Sequence, residues 1–293
     1  MKLKKNLVVS AIVAGLMVPL SAMATNGYFS HGYGMKAKGM GGAGIAYGQD
    51  ALAAATNPAN MVLVGNRVDF GLDVFMPDRK TEIVGNGSLG TVQYDPNKDN
   101  VFFIPEFGYN KMINNTMSFG VSVFGNGGMN TSYKKPIGLF AGTSGINAGV
   151  NLEQLFISPT FSMKINDKNA IGVSLNLIYQ TFEATGLAGF TNFSSSGTNL
   201  TDNGKDSSTG YSLRLGWTGQ ITDKVTLGAT YQSKGDMSAF SKYKGLFAEQ
   251  GSFDIPETYG VGMAVKATPN VNVLLDISKI NYSGVNAISN PLL

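Results

Sequence analysis

The chain has 293 residues, a formal net charge of +3, 14% charged residues, no cysteine and a single histidine. Without cysteine there are no disulfides, no thiolate nucleophile and no Cys-borne lipid anchor. With His31 alone, a metal site of several His ligands is excluded and a Ser-His-acid hydrolase would have to use that one residue. Thirty-eight Gly, seventeen Phe and twelve Tyr at so low a charge are unusual for a soluble enzyme. They suit a β-barrel whose outer face meets lipid.

The chain opens with Lys2, Lys4 and Lys5, then an apolar run from Leu7 to Leu20, then Ala22-Met23-Ala24. This predicts a secretory signal peptide over residues 1–24, cleaved before Thr25. The apolar run is short for a transmembrane helix. Cleavage removes three lysines and brings the mature chain to neutrality, so it has no general electrostatic attraction for nucleic acid. Export then leads to the periplasm, the outer membrane or the medium.

From Thr25 to Met61 the sequence is rich in Gly and Ala and lacks strand alternation. Residues 25–65 are predicted to form a plug, or hatch, enclosed by the strands that follow. Gly39, Gly41, Gly42 and Gly44 permit close backbone packing and positive φ. Asp50 is predicted to cap a helical turn over Ala51 to Ala55, which Asn57-Pro58 ends. The run GMGGAG from Gly39 to Gly44 matches a dinucleotide-binding fingerprint by letter, but that motif requires a buried strand before it. Tyr28 to Lys38 contains no apolar run of that kind.

From Arg67 onward, apolar and polar residues alternate with period two, segment after segment. Met117, Phe119, Val121 and Val123 oppose Thr116, Ser118, Gly120 and Ser122. Ile171, Val173, Leu175, Leu177 and Tyr179 oppose Gly172, Ser174, Asn176 and Gln180. Tyr211, Leu213, Leu215 and Trp217 oppose Ser212, Arg214, Gly216 and Thr218. Further segments at Val68 to Met76, Phe103 to Tyr109, Leu155 to Ile165, Val225 to Tyr231, Tyr259 to Val265 and Val271 to Ile277 bring the prediction to about nine strands. A soluble sandwich also alternates. Asp69, Asp73, Asn176, Gln180 and Arg214, all opposite the apolar face, favour a polar lumen. Connections alternate between tight (Asn110 to Asn115, Asn166 to Asn169, Thr222-Asp223, Pro269-Asn270) and long (Thr81 to Asn100, Asn126 to Asn151, Glu183 to Thr209, Met237 to Asp254), as in outer-membrane barrels. Tyr109, Tyr179, Trp217, Tyr231, Tyr259 and Tyr282 fall where an aromatic girdle would lie.

The start TNGYFSHGYG, the segment GMGGAGIAYGQDALAAATNPANM, the loop FGNGGMNTSY and the stretch YKGLFAEQGSFDIPETYGVGMAVK together resemble the FadL-type outer-membrane transporters of long-chain fatty acids and other hydrophobic compounds. The resemblance spans nearly the whole mature chain. It implies an all-β fold: a transmembrane antiparallel barrel of fourteen strands, plugged by an N-terminal hatch. It also implies passive uptake without a cofactor, by a monomer set in outer-membrane lipid. Residues 66–293 supply about nine strands, so the expectation is a barrel whose C-terminal strands are missing from this sequence. By the same resemblance, Asn57, Pro58 and Ala59 form the hatch turn, with Gly41 and Gly42 in the hatch. Gly125, Asn126, Gly127 and Gly128 end the third strand, where a kink opens the wall laterally; glycines there fit a bulge, although a flexible loop start would read the same.

A fatty acid carrier needs apolar surface on its outer loops, since each buried methylene is worth roughly 0.8 kcal/mol. Met237, Phe240, Tyr243, Leu246 and Phe247 fall at helical spacing and predict one apolar stripe. Leu187, Phe190, Phe193 and Leu200 form a second apolar set; mutual packing of the loops is the plain alternative. Lys234, Lys242 and Lys244 lie beside the stripe as cations for a carboxylate. Arg214 is a further candidate cation, with pairing to Asp69 or Asp73 as its expected role. A channel for aromatic or aliphatic hydrocarbons is the alternative function. A general porin is disfavoured by the plug.

Overall fold

The computed structural model describes residues 26–85 and 90–290; the signal peptide and Thr25 lie outside the described residues. Twelve strands occur among the described residues: β1 (Arg67–Phe75), β2 (Thr81–Ile83), β3 (Val92–Tyr94), β4 (Phe102–Met112), β5 (Met117–Ser132), β6 (Gly149–Asn166), β7 (Asn169–Thr185), β8 (Asp206–Gln220), β9 (Val225–Gln232), β10 (Asp236–Met237), β11 (Thr258–Thr268) and β12 (Val271–Ile280). The main sheet runs in the order β1-β4-β5-β6-β7-β8-β9-β11-β12, with β10 on β8 and a separate β2–β3 hairpin. Every pairing between these strands is antiparallel. The nine strands of the main path are those that period-two alternation marks. The β2–β3 hairpin and β10 have two or three residues per strand, too few for a periodic signal.

The sheet is inside out by soluble standards. Phe70 is 80% exposed and Phe103 67%, whereas Ser118, Ser122, Ser158, Ser162 and Ser174 are completely buried. Alternation thus puts apolar side chains outward and small polar ones inward, as a lipid-facing wall requires and a sandwich does not. No helix among the described residues is long and apolar enough to cross a membrane; the strands are the elements of crossing length. β5, β6, β7 and β8 have 16, 18, 17 and 15 residues. Since about 9–11 residues cross a bilayer, these strands extend past the lipid. The tight connections share one end of the sheet with the start of β1, and the long ones lie at the other.

Residues 26–64 sit inside the curve of the sheet. They carry only short pieces of structure: a helix at Met35–Gly39, 3-10 turns at Ala53–Ala55 and Pro58–Asn60, and a helical turn at Met61–Val64. Asp50 Oδ1 accepts from the Leu52 amide at 3.0 Å in a local turn, but it does not cap the helical turn expected over Ala51 to Ala55: what forms is a 3-10 turn at Ala53–Ala55 that follows Leu52 and has no side-chain cap. The Gly39–Gly44 run ends a helix instead of starting one: Gly41 and Gly42 have φ of +68° and +87°, and the Gly42 amide donates to Ala37 O at 2.8 Å. That geometry is a helix stop, and it disposes of the dinucleotide reading.

Candidate functional site

The N-terminal segment, residues 26–64, expected to form the hatch, is seated against the wall by residues far apart in sequence. Asn57 is fully buried; its Nδ2 donates to Ile45 O (2.7 Å), Trp217 O (2.9 Å) and Thr218 Oγ1 (3.0 Å), and its Oδ1 accepts from the Ala59 amide (3.0 Å). Pro58 begins the next 3-10 turn, where its missing N–H costs nothing. On the wall, Gly172 and Gly216 face each other in register, and a Cβ on either would collide with Pro58 or Asn57. Wall carboxylates complete the seat. Asp69 accepts from the Ala51 amide at 2.9 Å, Asp276 from the Gly44 and Ile45 amides at 2.8 and 2.9 Å, and Lys38 Nζ lies 2.9 Å from Asp73 and 3.0 Å from Glu106. The expected pairing of Arg214 with Asp69 or Asp73 is therefore wrong: Asp69 pairs with Arg67 and Asp73 with Lys38. Arg214 instead donates to Thr56 O and Gln232 Oε1.

Above the hatch, the lumen fills with aromatic rings. Ring centroids are 4.7 Å apart for Phe182–Phe247, 5.1 Å for Phe247–Phe253, 5.8 Å for Phe253–Tyr28 and 5.0 Å for Tyr28–Phe29, with Phe240 and Tyr243 against Phe182. Phe240 and Tyr243 are fully buried and Met237 nearly so, with Leu246 and Phe247 packed on them. The expected helical stripe is thus corrected. A short strand, a 3-10 turn at Ser241–Tyr243 and a four-residue turn at Ala248–Gly251 replace the helix, and the loop folds its apolar residues inward. Burial pushes the Tyr243 hydroxyl up from its ordinary pKa, and it donates to Gly204 O at 2.8 Å. Phe190 packs on Phe140 at 5.3 Å, Leu200 is buried and Phe193 stands 88% exposed on the outer loops. Lys242 and Lys244 are exposed there too; Lys242 Nζ donates to Lys205 O at 2.8 Å. Lys234 pairs with Asp254 at 2.6 Å, and that hydrogen bond raises its pKa. A groove of about 610 Å³ beside the β2–β3 hairpin is lined by Asp78, Arg79, Lys80, Glu82 and Asp95, a charged lining unsuited to an apolar guest.

Alternation alone missed the apolar side chains that the wall turns inward, because they lie on the polar phase of their strands. Their signal is a break in period: Val123-Phe124, Leu155-Phe156-Ile157 and Leu177-Ile178-Tyr179 place apolar residues on both faces at one level. Phe124, Phe156 and Ile178 are the inward members, all buried. Tyr282 also belongs here rather than in a girdle; its ring centroid lies 5.6 Å from that of Tyr28.

The wall parts at one place. β4 and β5 pair from Met112↔Ser118 only as far as Phe107↔Val123, although β4 continues on β1 to Phe102 and β5 continues on β6 to Ser132. Gly125, Asn126, Gly127 and Gly128 are at this point, with a register shift on β6 between Gly125 and Gly127. The strand does not end there, contrary to expectation; it bulges and runs on. The edge that β4 leaves is taken by the hatch. The Ser30 amide donates to Asn126 O at 3.0 Å and the Gly128 amide to Tyr28 O at 2.9 Å, while Tyr33 OH donates to Asn126 Oδ1 at 2.9 Å. The side chain of Ile104 lies against Gly125.

The chain is similar to the Pseudomonas putida toluene transporter TodX, at 20% identity and a TM-score of 0.65 over 87% of this chain and 72% of that one. It is similar to the CymD monoaromatic hydrocarbon channel at 20% identity and 0.57, over 87% and 70%. A Pseudomonas aeruginosa FadL homologue gives 15% identity and 0.61, over 88% and 70%. No curated protein sequence matches. The profile of one family, described as outer membrane protein transport protein (OMPP1/FadL/TodX), matches residues 21–290. The chain belongs to that family of outer-membrane transporters of hydrophobic compounds.

Proposed function

We propose that this chain carries long-chain fatty acids passively across the outer membrane. Ligand lands on the long loops, enters the aromatic zone above the hatch, and leaves sideways through the wall where β4 and β5 part. Movement of the hatch at Asn57-Pro58 and at Tyr28–Ser30 gates the path. The observation that carries this reading is the unbroken run of rings from Tyr243 through Phe182, Phe247, Phe253 and Tyr28 to Phe29, which pairs with Gly127 at the bulge. At roughly 0.8 kcal/mol per methylene, an acyl chain gains several kcal/mol from such a lining. Monoaromatic hydrocarbons are the second reading, favoured by the same rings and by the substrates in the names of TodX and CymD.

The test is uptake of labelled fatty acid and labelled toluene by cells lacking their own transporter. Because the chain has no cysteine, the double variant Ile104→Cys/Gly125→Cys offers a clean disulfide across the gap. Oxidation is expected to stop uptake and reduction to restore it. Uptake that persists in the oxidised form would exclude the lateral route, and uptake of toluene alone would make hydrocarbons the cargo.

A further inference from the structure

One chain of side-chain hydrogen bonds links the N-terminal segment to four wall strands. Tyr33 OH donates to Asn126 Oδ1 on β5 at 2.9 Å, Asn126 Nδ2 to Gln154 Oε1 on β6 at 3.1 Å, and Gln154 Nε2 to Gln180 Oε1 on β7 at 3.0 Å. Gln180 Nε2 then donates to Ser208 Oγ on β8 at 3.3 Å and to the carbonyl of Phe253 at 2.9 Å. Asn126, Gln154 and Gln180 are buried, one pleat to the outer side of Phe124, Phe156 and Ile178. The chain has one direction. A carbonyl oxygen only accepts, so Phe253 O turns Gln180 with Nε2 toward it and Oε1 toward Gln154. The same choice passes to Gln154 and to Asn126, whose Oδ1 is left for the Tyr33 hydroxyl. No amide in the chain can reverse alone, because a buried donor would then face a donor, or an acceptor an acceptor.

Its two ends lie at different stations of the proposed path. At one end Asn126 holds the N-terminal segment over the parting of β4 from β5, and its carbonyl also accepts from the Ser30 amide at 3.0 Å. At the other end Phe253 belongs to two systems at once. Its carbonyl ends the amide chain, while its ring stands in the aromatic zone, 5.1 Å from Phe247 and 5.8 Å from Tyr28 between centroids. A guest that enters between those rings displaces Phe253 and takes the last acceptor away from Gln180. We propose that Gln154 and Gln180 are positioning residues for the seal: they hold Asn126 against Tyr33 while the aromatic zone is empty, and they release it when a guest moves Phe253. This rests on the lateral route. Phe253 also touches Tyr28 directly, so the test must cut the amide chain and leave the rings in place.

The full chain in phospholipid nanodiscs is followed by amide hydrogen exchange, with dodecanoate and toluene as probes. The Ser30 and Gly128 amides report the seal; the Ala51 and Gly44 amides, held by Asp69 and Asp276, report the rest of the seat. Without probe, Gln180→Leu and Gln154→Leu should each lower the protection factors of Ser30 and Gly128 about three- to tenfold, the effect of one hydrogen bond, and leave Ala51 and Gly44 unchanged. In the unmodified protein at least one probe should lower protection at the same two amides, and in the variants that response should be lost. Heat-modifiable gel mobility reports whether each variant folds. Should neither fold, the side-chain amide signals of the unmodified protein decide: those of Asn126 and Gln180 should shift together as probe is added, and a shift at Gln180 without one at Asn126 overturns the proposal. Unchanged protection of Ser30 and Gly128 in both variants overturns it, as does an equal loss at all four amides, which would make the chain wall structure only. A full response to probe in the variants overturns it too and assigns the coupling to the Phe253–Tyr28 contact. So does the absence of a response to either probe in the unmodified protein. None of these readouts uses uptake, so each leaves the lateral route standing; that route falls to the disulfide test.

Discussion

At the scale of single residues, the N-terminal segment is held by close fit as well as by charge. Gly216 leaves no room for a side chain, because Asn57 Oδ1 and Pro58 Cδ occupy the space a Cβ would need. Gly216→Val should therefore unseat the Asn57-Pro58 turn, at a cost of roughly 1–3 kcal/mol from overpacking, and raise single-channel conductance in planar bilayers. Gly138→Val, at a position with open space around it, should leave conductance unchanged. Asn57 and Pro58 are legible as a turn in the sequence, but their socket is not. Gly172 and Gly216 read only as small residues on the polar phase of two strands until the fold brings the hatch against them.

At the scale of elements, the nine strands of the main path are legible because eight or more residues in each give a clear period. The β2–β3 hairpin is too short for that, and side-chain contacts hold it in place. Lys134 lies 2.6 Å from Asp95, the Arg79 guanidinium donates to Asn130 Oδ1 at 3.0 Å, and Asn97 Nδ2 donates to Arg79 O at 2.7 Å. The Lys134 hydrogen bond holds the Asp95 carboxyl below its ordinary range. With the folded pKa depressed, the contact contributes fully above the unfolded value of about 3.9 and is lost as pH falls through the folded one. Amide protection factors in residues 92–97, which already allow for the slower intrinsic exchange in acid, should accordingly fall on acidification into that range. In Asp95→Asn the protection factors should be lower at neutral pH and lose that acid dependence. A hairpin whose protection factors do not change with pH in the unmodified protein would show that the ion pair contributes nothing.

At the scale of the whole molecule, the wall has its apolar face outside. Leu175 is 39% exposed in the middle of β7 while its neighbours Ser174 and Asn176 are buried. Leu175→Arg should cost about 2–4 kcal/mol in phospholipid vesicles, the penalty for a cation on the lipid face near the midplane, measured by urea unfolding. A change under about 1 kcal/mol would place that face in water or protein instead. The same inversion explains why the candidate site was only partly legible. Phe190, Phe193, Lys242 and Lys244 are on the outer loops, where a reading of loop composition puts them. Phe240 and Tyr243 come from the same loops yet finish fully buried among rings contributed by β7 and the hatch.

Period and composition by themselves determined which residues form the wall, which face of each strand meets lipid, and that a Gly-rich segment without alternation precedes the strands. These are local properties, written in neighbours two residues apart. Only the tertiary structure decided what that segment touches. Asn57 finds Trp217 across 160 positions and Gly44 finds Asp276 across 232, and no local pattern encodes such pairings. The same holds for the parting of β4 from β5 and for Arg214. The first depends on how far two strands stay in register. The second depends on which carboxylates other cations have already taken.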